Sequence, residues 1–60
     1  MNKITTRATE DVNFIGEHGT VRQVRRANEY LRAMKRPMES IARITWYANV
    51  IAEIRAECEK

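Results

Sequence analysis

From Thr20 to Cys58 apolar residues return at three- and four-residue steps, the spacing that places them on one side of an α-helix. Pro37 divides this stretch into two runs. In the first, Val21, Val24, Leu31 and Met34, with Ala27 and Tyr30 beside them, form one stripe. Arg22, Arg25, Arg26, Glu29, Arg32 and Lys35 fill the rest of the circumference. The preceding Thr20-Val21-Arg22-Gln23 fits a capping box, in which the threonine hydroxyl accepts from the amide three residues on and the glutamine reaches back. Pro37 disfavours helical backbone at Arg36 and cannot extend the ladder, so the first helix is predicted over residues 20–35.

Pro37 also suits the first position of a second helix, where its missing N–H costs nothing, and Glu39 then falls in the favourable first turn. That helix is predicted over residues 37–59. Ile41, Ile44, Ala48, Ile51 and Cys58, flanked by Tyr47 and Ile54, give it a wide apolar face. Trp46 and Val50 point to the other side, beside Glu39, Arg43, Glu53 and Glu57. A large aromatic left out of the core marks a contact surface, and tryptophan is favoured at interface hot spots. Trp46, Val50, Tyr47 and Ile54 are therefore the predicted protein interface.

Residues 1–8 are polar and threonine-rich with a lone Ile4, and read as a flexible arm. The alternative is a short strand at Lys3-Ile4-Thr5-Thr6-Arg7 that pairs with its twin in a dimer. Thr9 to Ile15 reads as a brief helical turn, with Thr9 as cap and Glu10 and Asp11 at the positive end of the dipole. Gly16 and Gly19, the only two glycines, are expected to end it. The predicted fold is all-α: one domain over residues 1–60, a helical hairpin with a short N-terminal helical turn, completed by homodimerisation.

Size gives the reason for the second copy. A 60-residue chain buries only roughly 60% of the surface its unfolded form exposes and commonly needs outside reinforcement. Cys58 is the only cysteine, which rules out an internal disulfide and fits a reducing cytoplasm. Cys58 and His18 are too few ligands for a closed zinc site, so neither metal nor cofactor is expected. Self-association is what remains.

The net charge of +3 is unevenly spread. Residues 20–43 carry seven cations against Glu29 and Glu39, a local charge of +5, while the segments on either side each sum to −1. Arg22, Arg25, Arg26, Arg32, Lys35 and Arg36 are thus the candidate contacts for nucleic acid or an acidic partner. The N-terminal residues hold no apolar run of the signal-peptide kind, so no export is expected. Ile41 to Ile54, the most apolar stretch, is interrupted by Arg43, Asn49 and Glu53, which argues against a membrane span.

Catalytic chemistry is not expected. His18 stands alone between glycines, Cys58 is flanked by Glu57 and Glu59, whose charges blunt a thiolate, and Ser40 has no neighbouring base. A helix-turn-helix built on residues 12–18, Gly19 and residues 21–30 fits poorly. Ile15 stands where that motif has a small residue, and Arg25 stands where it has an apolar anchor.

The tract Thr20-Val21-Arg22-Gln23-Val24-Arg25-Arg26 through Ile41-Ala42-Arg43-Ile44-Thr45-Trp46-Tyr47, about half the chain, resembles the short accessory proteins of lambda-like temperate phages and prophages encoded between the exonuclease and excisionase genes. The resemblance implies an early, non-enzymatic protein of the bacterial host cytoplasm that modulates host or phage development through contacts with a host or phage protein. The alternative from the residues is a small DNA-binding regulator using the arginine-rich helix.

Overall fold

The computed structural model describes residues 3–59 as three helices: α1 (Lys3–His18), α2 (Val21–Met34) and α3 (Ile41–Cys58). The overall extents are 33 × 18 × 16 Å. Even α2, the shortest helix, is about 21 Å long at 1.5 Å per residue, so all three must lie along the long axis. Gly19, after α1, packs against the Cys58 sulfur at the end of α3, and Gln23 near the start of α2 reaches Glu57 at 3.5 Å. α1 and α3 therefore run parallel, with α2 antiparallel to both. The fold is all-α, and this alignment rules out a helix-turn-helix crossing of about 90–120°.

The N-terminal third corrects the sequence reading. From Lys3 on, the expected arm is the first part of a 16-residue helix, and residues 1 and 2 lie outside the described part. The short strand is absent too, since Lys3 to Arg7 are helical. Thr9 caps nothing; its hydroxyl donates to the Thr5 carbonyl at 2.9 Å inside α1. The helix forms because Ile4, Ala8, Val12 and Ile15 recur at helical period and seal against the other two helices. Packing of one face, more than propensity, is what holds a helix of this length. Gly16 does not end it, because its backbone is held within a packed helix and its missing side chain faces open space. The chain turns at Gly19, whose amide donates to the Ile15 carbonyl at 2.7 Å.

The start of α2 matches expectation. The Thr20 hydroxyl accepts from the Gln23 amide at 3.2 Å, and Gln23 Oε1 accepts from the Thr20 amide at 2.9 Å. Such a cap is worth about 1 kcal/mol.

The second helix begins four residues later than predicted, at Ile41. Ser40 is its cap, with ψ 153° and a hydroxyl that accepts from the Arg43 amide at 3.2 Å. Pro37 belongs to the connection, which Met38 passes in the left-handed region at φ 66°. That one conformation breaks any helical path from Pro37.

The core is drawn from all three helices: Ala8, Val12 and Ile15, then Ala27 and Met34, then Ile51 and Ile54. α1 thus adds a third helix to the bundle that the sequence reading closed by dimerisation. The hairpin's apolar face is covered from within the chain.

Candidate interaction surface

Three of the four aromatic residues, Tyr30, Trp46 and Tyr47, gather on the seam between α2 and α3. Tyr30 of α2 meets the Trp46 edge at a centroid distance of 5.9 Å and 81°, and lies 5.8 Å from Tyr47; Trp46 and Tyr47 are 5.4 Å apart at 62°. Edge-to-face contacts of this kind are favourable beyond the area they bury. Trp46 nevertheless stays 55% exposed. Ser40, Ala42 and Arg43 line a shallow concavity with Trp46 and Tyr47. Arg43 is tied back to Glu39 at 3.7 Å.

The other predicted interface residues fare differently. Tyr47 and Val50 are half-buried and pack against the core, so each offers only part of its side chain. Ile54 is a core residue and cannot meet a partner. Its wheel position lies close to Ile51, and both point between α1 and α2. Two residues expected inside are instead outside: Val21 is 76% exposed, in register with Arg25 and Arg32 and turned away from Ala27 and Met34, and Ile41, the first residue of α3, is 77% exposed.

Arg22, Arg25, Arg26, Arg32, Lys35 and Arg36 are all exposed. Ion pairing is partitioned between helices. The described pairs use Arg43 and Arg55 of α3 and His18 of α1, and among the described residues no carboxylate lies within pairing distance of any of these six cations. Glu29, in the middle of the same helix, pairs with none of them. As the one carboxylate of α2, Glu29 offsets only part of the charge, and the helix keeps a net positive field.

No family model, curated protein or solved structure matches this chain.

Residues with potential chemistry are scattered. His18 is exposed, with its ring 4.5 Å from that of Phe14 and its Nε2 3.8 Å from Glu17. The Cys58 thiol is half-buried and donates to Gln23 Oε1 at 3.4 Å. The Ser40 hydroxyl is spent on its cap. Among the described residues no cluster of three or more His, Cys, Asp or Glu is placed to hold a metal ion. Among the described residues no helix is long and apolar enough to cross a membrane.

Sequence reasoning missed Tyr30 as the brace of Trp46. The signal was available, since Tyr30 lies on α2's edge one position from its stripe, but pairing it with Trp46 requires the register between helices. It also missed the link between Asp11 and Arg55, which are 44 residues apart.

Proposed function

We propose that this chain is a non-catalytic binding module that acts through a protein contact centred on Trp46. One observation carries the reading: the indole is half exposed yet held on edge by Tyr30 and Tyr47. An aromatic side chain fixed before docking loses little freedom on binding, which is where affinity is usually forfeited. A rigid, accessible tryptophan beside a small residue and a charged rim has the make-up of a hot spot. Ala42 and Arg43 supply that small residue and rim.

The resemblance to phage accessory proteins gives the proposal its setting, a bacterial cytoplasm in which the partner is a host or phage protein. A second copy of the chain is another occupant of the same face. With α1 covering the core, self-association on this face would serve binding.

Trp46 is the only tryptophan, so its fluorescence reports on this face directly. Trp46→Ala is expected to weaken partner capture or self-association by roughly 30-fold or more, the loss typical of a hot spot, with Trp46→Phe intermediate. Unchanged sedimentation together with unchanged capture in Trp46→Ala would remove the reading.

A further inference from the structure

A second surface, on the side of α2 turned away from the aromatic seam, has a different chemistry. Val21, Arg25, Asn28 and Arg32 stand at helical steps of four, three and four, so they form one line along α2. All four are exposed, and with Val24 and Glu29 they line one shallow concavity.

We infer that this face of α2 is a docking site for duplex DNA, with the line of Arg25, Asn28 and Arg32 entering the major groove. Its residue types match what base edges offer there. Arginine donates in a fork to guanine, asparagine pairs in both directions with adenine, and an aliphatic group such as Val21 meets the thymine methyl. Lys35 continues the line by one more helical step, and Arg22 and Arg26 lie to one side of it, so cations accompany the groove-facing residues toward the phosphate backbone. From Arg22 to Lys35 they extend about 20 Å along the helix. None of them has a carboxylate partner among the described residues.

Duplex RNA has the same phosphates, but its major groove is too narrow to admit a helix. An acidic peptide would satisfy the charge but makes no use of Asn28 in the line. Glu29 is the one opposing group. Its carboxylate suits only a cytosine amino group and otherwise repels the backbone. The site is independent of Trp46, which sits on the seam with α3, so the chain can hold DNA and a protein at once.

The test is fluorescence anisotropy of the full chain with a labelled 20-base-pair mixed-sequence DNA duplex. Binding is expected at 50 mM salt, falling about a hundredfold by 200 mM for roughly four neutralised phosphates. The paired substitutions Arg22→Ala with Arg26→Ala, and Arg25→Ala with Arg32→Ala, should each weaken binding at least tenfold. Only the first pair should markedly flatten the salt dependence. Glu29→Gln should tighten binding and Trp46→Ala should leave it unchanged, all with the helical circular dichroism of the parent. Absence of binding at 50 mM salt, equal affinity for a duplex RNA of the same sequence, or an equal loss in Trp46→Ala would each overturn the assignment.

Discussion

Arg55 of α3 donates from Nη1 to Asp11 Oδ1 of α1 across 2.6 Å, and Asp11 is only 4% exposed. The same guanidinium holds Glu59 at 3.2 Å and lies 4.5 Å over the Phe14 ring. The hydrogen bond to Asp11 raises its already high pKa, burial opposing, so Arg55 stays charged. Removing it strands a buried carboxylate, the costly half of breaking such a pair. Arg55→Met is therefore expected to lower the melting temperature by far more than Glu59→Gln, whose contact is exposed. Adding Asp11→Leu to Arg55→Met should recover most of the loss. Thermal melts of the three variants check this.

The two glycines should respond oppositely to alanine. At Gly16 a Cβ would meet nothing within 4 Å, so Gly16→Ala gains helix propensity and stabilises by about 0.5–1 kcal/mol. At Gly19 a Cβ would lie 2.8 Å from the Ile15 carbonyl oxygen and 3.0 Å from the Cys58 sulfur. Gly19→Ala must spread the turn between α1 and α2, at a cost of about 1–3 kcal/mol. Urea denaturation should place the two midpoints on either side of the parent's.

Met38 is fully exposed, and its φ of 66° is strained for a side chain with a Cβ. The left-handed conformation costs about 1–2 kcal/mol, while glycine gives back roughly 0.5–1 kcal/mol through unfolded-state freedom. Met38→Gly should therefore stabilise by about 0.5–1 kcal/mol, and Met38→Ile should destabilise. Their melting temperatures decide the sign.

Ile15 and Ile51 are the largest fully buried side chains, one from each parallel helix. A large-to-small change there costs about 2–5 kcal/mol, against a total of roughly 3–9 kcal/mol for a chain of this length. Ile15→Ala should melt α1 together with the other helices in one transition. An α1 that frays alone, leaving α2 and α3 cooperative, would show that the hairpin is sufficient without it.

Much of the helical content was legible because local signals and packing agree there. The capping box at Thr20 and the stripe through Ala27 and Met34 depend on neighbours within a few residues. The start of α3 was misplaced because Pro37 and Ser40 both carry helix-start chemistry, and only the backbone at Met38 decides between them. α1 was hidden because Thr5, Thr6 and Thr9 dilute the stripe of Ile4, Ala8, Val12 and Ile15. Within the candidate surfaces, the exposed cations were legible from charge, whereas Ile54 was misassigned because its depth is set by where α1 lies.

By itself the chain's pattern determined an all-helical fold, the turn before α2, the cationic character of that helix and the exposure of Trp46. These follow from period, capping and charge, which act over a turn or two of helix. Tertiary structure decided that residues 3–18 supply the third helix, that Asp11 answers Arg55, and that Tyr30 braces Trp46. Those outcomes depend on register between helices far apart in sequence, which only packing of the whole chain sets.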